Sequence, residues 1–202
     1  MNQKRQLQVF IGILVALFLF GSIMLFSYQN IRYGDVFFEY NGFAVHRIED
    51  YEIDEYQVEI YLNNNPQPFI VSSRYNPRDL EDIAVYDGLK DDIIKDELYI
   101  SMEPTLSGRA TVAFSEINKY TENPFLFNLP TFPGLIRDVE NNDLPTITCN
   151  DVSKTRGVIL FDLGDENKIY SDNGCVIIEA ITEDDLMRGA DRLSLTLLGI
   201  MN

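Results

Sequence analysis

The 202-residue sequence predicts an α+β domain carried behind an N-terminal transmembrane helix. Three observations lead there. The run from Val9 to Phe26 holds no charged residue. Between Asp35 and Leu62, aromatic and apolar residues alternate with polar ones around an Asn41-Gly42 dipeptide, the pattern of antiparallel strands. After Val158 the order is a strand, a hairpin and an amphipathic helix.

The apolar run is taken first. Its 18 residues cover about 27 Å as a helix, close to the thickness of a hydrocarbon core. A lone segment in that solvent can satisfy its amides only as a helix. Tyr28 and Tyr33 follow it and suit the headgroup zone. Lys4 and Arg5 precede the run, while Arg32 alone follows before Arg47, so residues 1–8 are expected in the cytoplasm, 9–27 as the anchor and the remainder outside. The run exceeds the roughly 7–15-residue apolar core of a cleaved signal, and Phe26-Ser27-Tyr28-Gln29 offers no pair of small residues for cleavage. An uncleaved single-pass signal anchor is the expectation. Gly12 and Ala16 form a small-xxx-small pair that chance also produces, so oligomeric state stays open.

The soluble part is expected over residues 35–202, with a division into two lobes near residue 90 left open. Asp35–Tyr40 and Phe43–Val45 read as strands joined at Asn41-Gly42, and Tyr56, Val58, Ile60 and Leu62 share one face of a third. Phe69–Val71 starts a fourth, completing a meander with one wet face. Asn76-Pro77 starts a short helix to about Ala84, with Asp79, Glu81 and Asp82 favouring its N-terminus. Glu97–Met102 reads as a strand, and Ser107 caps a helix running through Tyr120. Four of the eight prolines lie between Thr121 and Pro145, which reads as mostly loop. Val158–Asp162 is a buried-type strand, Lys168–Tyr170 and Cys175–Glu179 pair across Asp172-Asn173-Gly174, and Thr182 with Asp185 opens a helix carrying Leu186, Ala190, Leu193 and Leu197 on one stripe. Gly199 is placed to cap that helix.

Charge and composition exclude several classes. The net charge is −16, and because the first 27 residues hold two bases and no acid, the rest stands at −18. Such a surface repels phosphate backbones, so no nucleic-acid partner is expected. One histidine and two cysteines rule out most zinc clusters. Walker, GxGxxG, HExxH and GxSxG motifs do not occur. His46 reads as a surface polar residue. The acidic run Glu49-Asp50-Tyr51-Glu52-Ile53-Asp54-Glu55 and the group Asp162, Asp165, Glu166 read as solvated edges or turns, because neighbouring strand residues point to opposite faces. Asp191 sits beside an apolar stripe and is expected to meet a buried arginine or backbone donor; Arg74 and Arg78 are expected to anchor their loop to carboxylates. No catalytic, cofactor-binding or metal-ligating residue is assigned. Cys149 and Cys175 are expected to form a disulfide if the domain is exported, a bridge worth about 3 kcal/mol in the chain-entropy model.

Thr148-Cys149-Asn150-Asp151, Val158-Ile159-Leu160-Phe161, Gly174–Ile178 and Ala190–Leu193 up to Leu198–Met201, together with the anchor, resemble uncharacterised single-span membrane proteins of archaea. The same strand–hairpin–helix layout is similar to segments of archaeal surface-layer proteins. The resemblance implies a cell-envelope setting and brings no activity with it. The expected function is a membrane-anchored envelope protein whose exported acidic domain serves interaction or structure, with another envelope protein as the expected partner. Two alternatives stand beside it. One is an anchored hydrolase using carboxylates. The other is a pilin-like subunit, suggested by Lys4-Arg5-Gln6 before the apolar run, although the small residue and the glutamate usual in pilins are missing.

Overall fold

A computed structural model of the protein describes residues 36–49, 54–62 and 65–202, and nearer the N-terminus residues 13–15, 17–19 and 21–22. The latter three groups are helical. The anchor expected over 9–27 lies for the most part outside the described residues, and among the described residues no helix is long and apolar enough to cross a membrane.

The domain is α+β. Its first part is the antiparallel meander expected from the alternation: β1 (Phe38–Tyr40), β2 (Phe43–Glu49), β3 (Asp54–Ile60) and β4 (Phe69–Ser73) pair in that order. Asn41 and Gly42 take φ of 49° and 84°, the left-handed pair that a tight hairpin needs for its twist to match the strands. Val45, Val58 and Val71 face one another across β2, β3 and β4 and are fully buried.

The second part is a six-stranded sheet in the order β5-β9-β10-β8-β6-β7, formed by β5 (Ala84–Val85), β6 (Glu97–Met102), β7 (Thr131–Leu135), β8 (Arg156–Leu163), β9 (Lys168–Asp172) and β10 (Cys175–Ala180). Strands β7, β6, β8 and β10 run parallel, and β9 runs antiparallel to β10 and parallel to the edge strand β5. The turn before β10 repeats the earlier chemistry, with Asn173 and Gly174 at φ 53° and 84°. Residues 121–145 are mostly loop as expected, but Thr131–Leu135 within them form β7, which holds Pro133 on an edge strand, where a missing N–H costs no ladder bond. Two further expectations are corrected. The helix expected to reach Ala84 is a single 3-10 turn, Pro77–Leu80, after which Ala84 and Val85 join the sheet. A short helix, α1 (Leu89–Ile93), also forms where none was foreseen.

Two longer helices complete the core. Helix α2 (Gly108–Thr121) starts at Ser107, whose side chain accepts the Arg109 N–H, and α3 (Glu183–Leu197) starts at Thr182, which accepts from Asp185. Gly199, at φ 73°, stops α3 as its pattern suggests. The stripe of Leu186, Ala190, Leu193 and Leu197 is buried, but so are Asp191, Arg192 and Ser194 on the other sides. Gly189 lies so close to Ile178 of β10 that a Cβ would stand 2.5 Å from it, while Asp191 bonds the chain just after β4. Helix α3 therefore contacts both sheets, and one continuous core runs from Val45 and Val58 to Ile159 and Ile178. Strand pairing passes from one sheet to the other between Ser73 and Ala84.

Candidate functional site

A largely parallel sheet normally needs cover on both faces. Here α2 and α3 lie on one face, packed against Ile159, Phe161, Val176 and Ile178. The opposite face presents Val158, Leu160, Cys175 and Ile177, which form a separate cluster with Ile147, Cys149 and Val152. Those three belong to a strap, residues 145–152, that crosses the sheet. It begins as a parallel bridge of Thr146 to Leu135, and Ile147 packs onto Gly134, where an added Cβ would come within 3.1 Å of it. The buried Ser101 hydroxyl donates to the Ile147 carbonyl at 2.6 Å. Thr148 and Asp151 cap a 3-10 turn reciprocally, and Cys149 in that turn is bonded to Cys175 at the start of β10, with Cα atoms 5.2 Å apart. The expected disulfide is present, and it holds the second cover in place.

In doubly wound sheets, ligands bind beyond the carboxyl ends of the strands where connections diverge. The corresponding point here lies between β6, which leads through α2 to β7 on one side, and β8, which leads through β9 to β10 on the other. The protein's own side chains occupy it. The Ser107 N–H donates to Glu183 Oε2 at 3.0 Å and its hydroxyl donates to the same oxygen, so a carboxylate already sits at the N-terminus of α2. Arg109 pairs with Asp184, and Arg137 with Glu103. The N-terminus of α2, which could have received an anion, is closed by two carboxylates from α3, Glu183 and Asp184.

Most of the polar chemistry lies at the junction of β4 with the helices. Asp191 Oδ2 accepts from the Ser73 hydroxyl at 2.7 Å, the Arg74 N–H at 2.7 Å and the Tyr75 N–H at 3.2 Å. Beside it Glu116 accepts from Arg74 Nε at 2.9 Å and pairs with Lys119, while Lys119 and the Tyr120 hydroxyl both donate to the Ser72 carbonyl. Burial pushes the Asp191 carboxyl up to about 6. The Ser73 hydroxyl, Lys119 and the Arg74 N–H pull the other way, and the Glu116 charge adds to the rise. Two carboxyl groups in unlike environments are the raw material of acid–base chemistry. Asp191 is 2% exposed and Glu116 7%, however, so the pair joins elements rather than facing a substrate. The expectation that Asp191 meets a backbone donor holds, and that of a carboxylate anchor for Arg74 holds through Glu116. Glu116, Ser73 and Lys119 were not singled out. The one signal in the chain was Glu116 at i−3 to Lys119, a spacing common on any solvated helix.

The remaining residues are placed as follows. His46 is corrected: it is 4% exposed rather than a surface residue, with Nε2 2.9 Å from Glu59 Oε1. Arg78 stacks on the Phe38 ring at 4.1 Å instead of pairing with a carboxylate. Of the acidic run, residues 50–53 lie outside the described residues, and Asp54 pairs with Arg47 at 2.6 Å. Asp162 is exposed, Glu166 pairs with Lys168 at 3.0 Å, and Lys168 also reaches Glu179 at 3.4 Å. Arg192 donates to the Ile83 and Asn202 carbonyls and to the Thr196 hydroxyl, and burial lowers its pKa. Among the described residues, no group of three His, Cys, Asp or Glu is arranged to hold a metal ion.

Comparison with protein-family models, with curated proteins and with solved structures finds no match for this chain.

Proposed function

We propose that this is a single-pass, membrane-anchored protein of the cell envelope whose acidic C-terminal domain lies outside the membrane and serves interaction rather than catalysis. The observation that carries this reading is the Cys149–Cys175 bridge, which belongs to an oxidising compartment. The N-terminal residues support it as well. Ile13, Leu14, Val15, Leu17, Phe18 and Leu19, all in helical backbone, are each more than half exposed, so the described apolar side chains there are not buried against the domain. The Ser22 hydroxyl turns back onto the Phe18 and Leu19 carbonyls at 2.9 Å, satisfied within its own segment as a bilayer requires. The strand-end crevice filled by Glu183 and the sealed Asp191–Glu116 pair favour interaction over chemistry.

Maleimide-PEG labelling of intact cells, with and without an impermeant reductant, tests the placement. The expected result is that both cysteines label only after that reductant is added. Labelling without reductant, and only once the membrane is opened, would put the domain in the cytoplasm and overturn the reading.

A further inference from the structure

The two longest uncharged stretches after residue 35 run from Ile60 to Ser73 and from Asn123 to Ile136, fourteen residues each. In a domain this acidic, they leave a neutral island where their tips meet. A depression of about 480 Å³ is lined by Leu62, Asn65, Gln67, Pro68 and Phe69 from the first stretch and Phe125 from the second. A neighbouring depression shares Leu62 and Phe125, and Lys90 is its one charged residue, so no carboxylate lines either among the described residues. Phe125 is 76% exposed.

The described residues beside both tips are held by local hydrogen bonds. The Phe125 N–H donates to Asn123 Oδ1 at 2.9 Å, and the Asn128 N–H donates to the Asn123 carbonyl at 2.9 Å with Asn128 at φ 47°. The Asn65 N–H donates to the Leu62 carbonyl at 2.9 Å, and the Gln67 N–H to Asn65 Oδ1 at 3.0 Å. A ring held out on a hydrogen-bonded loop loses little freedom on docking.

We propose that this island is the contact between two copies of the chain, a partner assignment that rests on reading the domain as an interaction module. A cationic partner would be drawn to the carboxylates, not to the surface that lacks them. An acidic partner can approach only where carboxylates do not face it, and a second copy is such a partner. A two-fold contact also needs knob and hole on one surface. Phe125 is the knob, and the depression of Leu62, Pro68 and Phe69 is the hole beside it, so each copy's Phe125 enters the other's depression.

The test is the mass of the purified full chain in detergent micelles, measured by sedimentation over a range of concentration and salt. The expected result is a dimer whose Kd tightens as salt screens the repulsion between the acidic bodies. Phe125→Glu weakens that Kd about 30-fold or more, and the exposed Gln67→Glu weakens it by roughly threefold to tenfold, with the melting temperature unchanged in both when it is read at dilutions where the wild type is monomeric. A monomer at every salt concentration overturns the proposal. So does a dimer that salt loosens, or one that Phe125→Glu leaves intact, which would place the contact elsewhere, the N-terminal helix included. A monomer that binds a different purified protein through Phe125 overturns it in favour of a heterologous partner. Because mass is read on purified protein, a failed topology experiment and a failed dimer are told apart.

Discussion

The meander and the six-stranded sheet solve the same problem by opposite routes. In the meander, neighbours in sequence are neighbours in space, and alternation puts Val45, Val58 and Val71 on a single buried face. The larger sheet buries both faces of its central strands: Val158, Ile159 and Phe161 of β8, and Cys175 through Ile178 of β10, are all nearly inaccessible. One face is closed by two helices, the other by a strap of about eight residues fixed covalently at Cys149. The difference teaches where each half is vulnerable. The meander depends on side-chain packing spread over many contacts. The larger sheet depends on a small cover that one covalent bond holds in addition to a few hydrogen bonds.

Breaking the bond is therefore expected to have the largest effect. Cys149→Ser with Cys175→Ser, or reduction of the native protein, should cost about 3 kcal/mol, within the usual range for a bridge of this span. The loss should appear first as faster hydrogen exchange in β8 and β10, with β2 and β3 little changed. Equal loss across both sheets would show that the strap does not serve the larger sheet in particular.

Asp191 is the next largest, because it joins the two regions. Asp191→Ala strands the Arg74 and Tyr75 N–H groups and leaves the Ser73 hydroxyl only the Tyr75 carbonyl, and should cost about 2–3 kcal/mol by chemical denaturation. Its pH dependence sharpens the point. Burial raises its folded pKa to about 6 from the ordinary carboxylate value of 3.8. Its contribution is thus full below the unfolded value and is lost as pH rises through about 6. Asp185 runs the other way: burial raises it, but the Thr182 and Arg188 hydrogen bonds prevail and lower it, so its contribution falls as pH drops. Asp191→Asn should flatten the stability profile between about pH 4 and 6, and an unchanged profile would show that Asp191 does not titrate there.

The smallest expected effect is at a helix end. Thr182→Ala removes the hydroxyl that accepts the Asp185 N–H and should cost about 1 kcal/mol. The melting temperature of this variant tests whether the end of α3 that meets the larger sheet is as weakly held as an ordinary cap. A loss several-fold larger would mean that Thr182 also supports the Glu183 contact with Ser107.

The comparison also explains what the sequence made legible. The meander, both Asn-Gly hairpins and the caps at Ser107 and Thr182 are written in local chemistry that a few adjacent residues show, whereas the disulfide, 26 residues apart in sequence, was legible only because the chain has two cysteines and an N-terminal run that reads as an export signal. Strand order in the larger sheet was not, because β7, β6, β8 and β10 pair across long connections and nothing local marks a parallel neighbour. Prolines disguised β7: Pro133 reads as a break until it is known to lie on an edge. His46 and Glu116 were missed for a related reason. Each is a polar residue that becomes buried only when a partner distant in sequence, Glu59 or Arg74, is brought to it.

The strap has one more consequence. Side chains along β10 alternate between its two faces, and Cys175 points toward the strap only because it lies level with Val158. Sliding β10 by one residue would turn the sulfur toward the helices and out of reach of Cys149. On the folded sheet the bond is thus compatible with the native register and not with a one-residue slip, so once closed it is a covalent peg that keeps β10 from sliding.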